Sequence, residues 1–257
     1  MTVYNPQTER YLNDILTILG VTKTSLWPFW ESTGQLVTCI GVADLIPSNA
    51  GAAEDLEHDF APLKLPCGLY SYHFNPAGDC HLAGTDNAAY TFIAGAFSVG
   101  AWIRPSAISS NAIMAKYDSA GNAEEWRFWI DANGNLALEL HDANVSASEI
   151  AISDTVDPVL NQMQFVVATY DGTPATPLVY LYINGIAVND GTTAETNAFV
   201  DMEDTATPLT IGCGGVTAVP TTEFHGRIAM PFLCGKQLTA AEVVTLRDIM
   251  RPLIGIS

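Results

Sequence analysis

An acidic run in the first quarter of the chain is the nearest approach to paired carboxylate chemistry. Residues 54–59 read EDLEHD. Glycoside hydrolysis uses two carboxyl groups facing one cleft, and alternate side chains of a β-strand would point both groups to the same side. This run lies instead in a stretch rich in Gly, Pro and Asp, which is typical of an irregular connection. We interpret it as a solvated loop and predict that the chain is not an enzyme.

Two tryptophans on one predicted strand are candidates for carbohydrate binding. Trp126 and Trp129 flank Arg127 and Phe128. Strand alternation places Trp126 on one face of the sheet, and Trp129 with Arg127 on the other. An exposed indole ring stacks on the apolar face of a sugar, as in lectins. The alternative is that both rings are packed in a core, where tryptophan is often buried.

A predicted N-terminal helix carries an apolar stripe. Residues 5–20 fit a helix because Asn5 can cap it, Pro6 suits its first turn and Gly20 can end it. Four residues recur at helical spacing and share one face: Leu12, Ile15, Leu16 and Leu19. This stripe either packs on the body of the same chain or acts as a docking helix on a neighbouring subunit. The sequence leaves both alternatives open.

The composition narrows the class of protein. The 257 residues include 28 acidic and 10 basic side chains, a formal net charge of −18, and are 48% hydrophobic. That hydrophobic content excludes a disordered chain, and the scarcity of Lys and Arg argues against nucleic-acid binding. Apolar runs are too short to cross a membrane, and the first 20 residues do not resemble a secretory signal. We therefore expect synthesis in a host cytoplasm, with no nucleic-acid or membrane partner.

Short strands dominate the prediction from residue 69 onward. Residues 97–104 alternate strictly, and Asn133-Gly134 and Asn184-Gly185 are strong hairpin signals. Upstream, residues 26–31 predict a short aromatic strand, and residues 41–68 predict a long irregular connection.

The C-terminal end returns to a helical pattern. Thr239 and Glu242 form a capping box, Val243, Leu246 and Met250 form a buried stripe, and Pro252 is expected to end the helix. Many short strands with a helix at each end predict an all-β protein. The predicted architecture is a two-sheet antiparallel jelly-roll sandwich with an N-terminal helix and a short C-terminal helix.

Several strand segments resemble, in order, those of the laminin-G-like or concanavalin A-like jelly-roll family. The matching segments are 68–74, 97–105, 113–116, 165–172, 181–185, 209–212, 224–228 and 238–243. The resemblance covers about residues 26–251 and implies a sandwich of about fourteen strands. It divides the chain into an N-terminal helical extension, residues 1–25, and a laminin-G-like jelly-roll domain, residues 26–257.

The resemblance also implies a calcium site at one rim of the sandwich. The family uses a carboxylate in its first long loop, for which Asp44 is the candidate here, and an Asp near the closing strand. That second position is Ala229 in this chain. Calcium prefers six to eight oxygen ligands, so the loss of one weakens the site unless another arrives. Asp118, Asp131 and Asp201 are further candidates, with solvated turns as the alternative; calcium is the one candidate cofactor.

The function expected from these observations is a non-enzymatic structural protein of a virus particle. Jelly rolls of this resemblance occur in bacteriophage decoration, head-fibre and tail-associated proteins. The expected partners are other virion proteins or further copies of the chain in a homo-oligomer, with glycans as another class, and the expected location is the virion. The alternatives are a carbohydrate-binding module acting in adhesion and a glycoside hydrolase.

Overall fold

The computed structural model describes residues 6–42, 44–49, 52–53, 60–75, 80–119, 122–215 and 222–256. Their two helices are α1 (Pro6–Leu19) and α2 (Ala240–Ile254). The strands are β1 (Ser25–Leu26), β2 (Ile46–Asn49), β3 (Ala52–Ala53), β4 (Leu63–Lys64), β5 (Tyr70–Phe74), β6 (Cys80–Ala83), β7 (Phe97–Pro105), β8 (Asn111–Lys116), β9 (Trp126–Ile130), β10 (Leu136–Asp142), β11 (Ala147–Ile152), β12 (Gln164–Tyr170), β13 (Val179–Ile183), β14 (Ile186–Ala187), β15 (Ala194–Thr196), β16 (Thr210–Ile211) and β17 (Gly226–Cys234).

The strands form two antiparallel sheets packed face to face. One sheet has eight strands in the order β14-β13-β12-β7-β17-β5-β4, with β1 pairing on β17. The other has nine strands in the order β15-β11-β10-β9-β8-β16-β6-β2-β3. Non-sequential neighbours such as β7 and β17 mean that the chain crosses repeatedly between the sheets, as in a jelly roll. The predicted all-β sandwich with a helix at each end is confirmed.

The main core lies between the inner faces of the two sheets. Phe97, Val99, Ala101 and Ile103 of β7 are all buried there, as the strict alternation of that strand predicts. Phe128 of β9 packs toward them from the opposite sheet.

A second apolar cluster covers the outer face of the eight-stranded sheet. Leu12, Ile15 and Leu19 of α1 join Trp102 of β7 and Leu246 of α2 in this cluster. Helix α1 therefore packs on the body of its own chain. Among the described residues, no helix is long and apolar enough to pass through a membrane.

Three local predictions are wrong. Strand β1 contains only Ser25–Leu26, so the predicted aromatic strand over residues 26–31 does not form, and Phe29 within it has a φ of +56°. Residues 41–68 contain short strands rather than only irregular backbone. Helix α2 continues past Pro252 to Ile254, and Gly255 caps it with a φ of +83° and an N–H bond to the Arg251 carbonyl.

The capping box at Thr239 gives a direct test of how α2 is stabilised. The Thr239 hydroxyl accepts from the Glu242 N–H at 3.3 Å, and the Glu242 carboxylate accepts from the Thr239 N–H at 2.8 Å. We expect Thr239→Ala to lower the free energy of unfolding by about 1 kcal/mol, because one N–H at the helix start loses its partner. Thr245→Ala, an exposed position inside the same helix, is the control in urea unfolding. Equal losses in both variants would contradict the capping role.

Candidate functional site

The outer face of the nine-stranded sheet carries a group of aromatic and charged side chains, which we name the outer-face cluster. Its members are Tyr117, Arg127, Trp129, Glu139 and His141. Strand register builds it: β9 and β10 are antiparallel neighbours, and Arg127 pairs with Glu139 across them. The alternate residues of these strands, such as Phe128 and Leu140, point into the core. Tyr117 follows the last residue of β8.

Arg127 is the centre of the outer-face cluster. Its guanidinium carbon lies 4.6 Å from the ring centre of Tyr117 and 3.7 Å from that of Trp129. Both distances are within the range of a cation–π contact. The Arg127 Nε also donates to Glu139. The cluster is therefore a pre-organised stack with one cation held between two aromatic rings.

Glu139 joins the arginine to the histidine. The His141 Nε2 lies 3.0 Å from the Glu139 Oε1, and the His141 ring makes an edge contact with Tyr117 at 5.0 Å between ring centres. Burial alone would raise the pKa of Glu139, but His141 and Arg127 together hold it below its usual value. Glu139 is therefore an anionic acceptor at neutral pH.

The two tryptophans of β9 have different surroundings. Trp126 has no exposed surface, packs on Phe97 in the core, and donates its indole N–H to the Tyr90 carbonyl at 3.3 Å. It cannot stack on a sugar, and the packed alternative applies to it. Trp129 lies on the outer face, 9% exposed, with Arg127 over its ring. Only Trp129 stays a candidate for carbohydrate binding.

A buried ion pair lies behind the cluster and anchors a neighbouring loop. The side chains of Lys116 and Glu125 are fully buried and in direct contact. The Lys116 Nζ donates to the Thr205 carbonyl at 2.7 Å, and the Glu125 Oε1 accepts from the Thr205 N–H at 2.8 Å. The Glu125 carbonyl also accepts from the His141 N–H at 2.8 Å. One buried pair thus fixes both the loop at Thr205 and the backbone of the outer-face cluster.

Three carboxylates meet at the end of β10, and we name them the acidic trio. One oxygen each of Asp142, Asp201 and Glu203 lies within 4.8 Å of the others. Asp142 directly follows His141, so the trio and the outer-face cluster share this end of the strand. Met202, which lies between the two loop acids in the sequence, is buried in the main core, whereas Asp201 and Glu203 are half-buried.

The acidic trio has the donor chemistry that a calcium ion needs. Only 3% of the Asp142 surface is exposed, and its Oδ1 has no hydrogen-bond partner among the described residues. Its Oδ2 accepts from the Val200 N–H at 3.2 Å. Burial, and then Asp142 and Asp201, raise the pKa of Glu203. Among the described residues no basic side chain forms an ion pair with these carboxylates. Hard oxygen ligands of this kind fit calcium, and Asp142, Asp201 and Glu203 are the residues that would hold it.

The other predicted metal ligands lie elsewhere. Asp44 is exposed, and its Oδ1 accepts from the Cys39 N–H at 2.7 Å, which is the behaviour of a turn residue. Asp131 accepts from the N–H groups of Asn133 and Asn135 in the β9–β10 loop. Neither belongs to the metal-ligand group formed by the described residues, whereas Asp201 does.

The predicted docking helix is mostly used internally. Leu12, Ile15 and Leu19 are at most 5% exposed, so they are not available to a neighbouring subunit. Leu16 is half-buried and lines a groove of about 310 Å³ with Trp30 and other residues of this face. Of the two alternatives that the sequence left open for this helix, the structure therefore favours packing on its own chain over docking on a neighbouring subunit.

The paired carboxylates of a hydrolase are not found on the outer face of the central strands. Within the described parts of β8 to β11, Glu139 is the one carboxylate on that face, since the buried Glu149 lies on the other face of β11. Glu139 is already bonded to Arg127 and close to His141. Residues 54–59, the acidic run, lie outside the described residues.

Sequence reasoning missed Tyr117, Glu139 and His141 of the cluster, and Asp142 and Glu203 of the trio. The alternation Glu139-Leu140-His141 was the available signal, because it places two polar side chains on the face that Arg127 and Trp129 share. For the trio, 59 residues separate Asp142 from Asp201 in the sequence. No local pattern connects them.

Comparison with known families gives one match over most of the chain. The family model Laminin_G_3, described as the concanavalin A-like lectin/glucanases superfamily, matches residues 81–244. This range includes the whole outer-face cluster and the acidic trio. No curated protein matches the sequence significantly.

Solved structures of low sequence identity share the fold. Domain 4 of AbnA, a GH43 extracellular arabinanase from Geobacillus stearothermophilus in complex with arabinotriose, is 15% identical with a TM-score of 0.60, covering 87% of this chain and 97% of that one. The ligand binding domain of botulinum neurotoxin serotype D with N-acetylneuraminic acid is 14% identical with a TM-score of 0.59, covering 91% and 52%. The sialidase of Trypanosoma rangeli is 16% identical with a TM-score of 0.57, covering 91% and 33%.

Coverage limits what these likenesses show. The chain spans about half the length of the toxin binding domains that it matches, 47% and 51% for two of them. It spans nearly all of the arabinanase domain. At these identities the likeness shows the fold alone.

Proposed function

Since this chain belongs to the concanavalin A-like lectin/glucanases superfamily, we propose that it is a non-catalytic module that binds a glycan. The observation that carries the proposal is the outer-face cluster, in which Arg127 is held between Tyr117 and Trp129 and bonded to Glu139.

The cluster has the groups that sugar recognition uses. Sugar hydroxyls both donate and accept hydrogen bonds, and Arg127 and Glu139 supply charged donors and acceptors, which form the stronger bonds. The half-buried Tyr117 ring offers surface to the C–H face of a sugar, whereas Trp129, 9% exposed, supports the Arg127 guanidinium from below. The side chains of Arg127 and Glu139 are 15% and 11% exposed, so they are held in place before a ligand arrives, which reduces the entropy lost on binding.

The comparisons support a glycan over other ligands to different degrees. The arabinanase domain that this chain covers almost completely was solved with arabinotriose. The match to the serotype D toxin domain is weaker support. It covers 52% of that domain, and it does not locate the bound N-acetylneuraminic acid within the matched part.

The arrangement of carboxylates around Glu139 favours glycan binding over glycoside hydrolysis. Both glycosidase geometries require a second carboxyl group across the scissile bond, about 5–10 Å from the first. Glu139 has Arg127 on one side and His141 on the other instead of a second acid, which suits recognition of hydroxyl groups.

A glycan array with two isosteric variants tests the proposal. We expect the wild-type chain to bind at least one class of glycan, and Glu139→Gln to lower the affinity at least tenfold, which is about 1.4 kcal/mol. Glu195→Gln, an exposed carboxylate on β15 of the same sheet, is the matched control and should bind like the wild type. The array is read with calcium and with a chelator. Absence of signal in both conditions, or equal binding by Glu139→Gln, would remove the proposal.

The sequence also predicted that the protein is part of a virus particle, and this role stays a proposal. A glycan-binding module on a phage particle would unite both expectations, since virion proteins contact host surfaces. The protein would then co-purify with the assembled virus particles that encode it. Its absence from those purified particles would refute that role.

A further inference from the structure

A polar pocket lies on the outer face of the eight-stranded sheet, on the opposite side of the sandwich from the outer-face cluster. Its volume is about 230 Å³, and it is lined by His73, Arg104, Ser106, Asn161, Gly226 and Arg227. Three strands contribute the basic members, which we name the basic row: His73 from β5, Arg227 from β17 and Arg104 from β7.

Strand register places the three basic side chains of the row side by side. Arg227 of β17 pairs with His73 on one side and with Arg104 on the other. Like charges directly opposite each other across strands are destabilising. Burial, followed by the charge of Arg104, lowers the pKa of Arg227, and burial followed by Arg227 lowers the pKa of His73. The two arginines of the row are therefore neighbouring positive charges, and the lowered pKa of His73 favours its neutral form beside them.

The rest of the chain makes these neighbouring positive charges unusual. There are 28 acidic side chains and only 10 Lys and Arg. Even so, among the described residues no carboxylate lies within ion-pair distance, 4.0 Å, of Arg104 or Arg227. Two arginines thus share a pocket without a counter-ion from the described protein.

Backbone carbonyls orient both guanidinium groups without neutralising them. The Arg104 Nε donates to the Asn161 carbonyl at 2.9 Å. The Arg227 Nη1 donates to the carbonyls of Ala61 at 3.1 Å and Ser71 at 3.2 Å. Within the described residues, these bonds leave both Nη groups of Arg104, and the Nε and Nη2 of Arg227, without a protein acceptor. A guanidinium fork with free, oriented donors matches a planar or tetrahedral oxyanion.

We propose that this pocket binds one anionic group, a carboxylate, sulfate or phosphate, between Arg104 and Arg227. The anion supplies a counter-charge that no described carboxylate provides, and it accepts the remaining guanidinium N–H groups. Because the pocket and the outer-face cluster lie on outer faces of different sheets, failure of one proposal leaves the other intact.

Thermal unfolding with inorganic anions tests the pocket. We expect millimolar sodium sulfate or sodium phosphate to raise the Tm of the wild-type chain above its value in sodium chloride of equal ionic strength. Sulfate also stabilises proteins in general by exclusion from their surface, so the result is the difference between variants. Arg104→Gln should lower the apparent affinity at least tenfold, and Arg227→Lys, which keeps the charge but loses the fork, should weaken it too.

Arg10→Gln is the matched control, because Arg10 is an exposed arginine on α1. It should respond like the wild type. Without added anion, Arg104→Gln should be at least as stable as the wild type, since it relieves repulsion. A sulfate response that is absent in the wild type, or equal in Arg104→Gln and Arg10→Gln, would overturn the proposal. Adding a sulfated disaccharide or glucuronic acid as separate arms shows whether a sugar-borne anion binds more tightly than the free ion.

Discussion

Replacing Lys116 with Met is expected to lower the free energy of unfolding by about 3–5 kcal/mol, because it leaves the buried carboxylate of Glu125 without its cation. The Lys116 side chain is fully buried, contacts Glu125, and lies 3.1 Å from the Asp86 carboxylate through its Nζ. Burial raises the pKa of Glu125, and Lys116 is the largest influence that opposes this rise. Removal of the lysine therefore makes ionised Glu125 much less favourable in the folded chain.

The prediction has a matched control and a rescue. Lys64→Met changes an exposed lysine on β4 and should alter stability by less than about 0.5 kcal/mol. Lys116→Met combined with Glu125→Gln should recover part of the loss, since the uncompensated charge is gone.

The stability loss of Lys116→Met should also depend on pH. A raised carboxyl pKa in the folded state favours folding as the pH falls, so the loss should shrink once the pH drops below the pKa of Glu125 in the folded variant. A urea-unfolding loss under about 1 kcal/mol at neutral pH would contradict the account.

Calcium is expected to stabilise the chain through the acidic trio. Calcium at 100 times its Kd would add about 2.7 kcal/mol to the free energy of unfolding, which for a domain of this size raises the Tm by roughly 5–10 °C. The reason is that Asp142, Asp201 and Glu203 bring three carboxylate oxygens near one point, and that the Asp142 Oδ1 has no hydrogen-bond partner among the described residues. Binding relieves their mutual repulsion.

Two asparagine variants separate the trio from the site that family resemblance suggests. Asp142→Asn should abolish the calcium-dependent rise in Tm while leaving the calcium-free protein at least as stable, because it removes one of three like charges. Asp44→Asn should keep the full response, since Asp44 is an exposed turn residue. A response lost in Asp44→Asn and kept in Asp142→Asn would place the ion elsewhere.

The sequence predicted those features that local rules control. The alternation of residues 97–104, the turn at Asn184-Gly185 and the capping box at Thr239 depend on neighbours within a few positions, and the structure confirms them. The face shared by Arg127 and Trp129 followed from alternation as well.

The pairing register between strands could not be predicted from such local rules. A two-residue turn at Asn133-Gly134 would place Arg127 opposite Leu140. In the structure residues 131–135 connect the two strands, Gly134 has a φ of +99°, and Arg127 pairs with Glu139. This shift of one residue creates the ion pair at the centre of the outer-face cluster. The acidic trio depends similarly on a long connection whose path no local signal specifies.

The most direct test of glycan binding at the outer-face cluster follows the indole N–H signals of Trp129 and Trp126 by NMR during titration with a glycan selected on the array. The two rings are three residues apart on β9 and lie on opposite faces of the sheet, so each is the other's control. We predict a saturable shift of the Trp129 signal while that of Trp126, bonded to the Tyr90 carbonyl in the core, stays in place. A bound glycan that leaves Trp129 unshifted, or a chain that binds none of the glycans offered, would contradict the account.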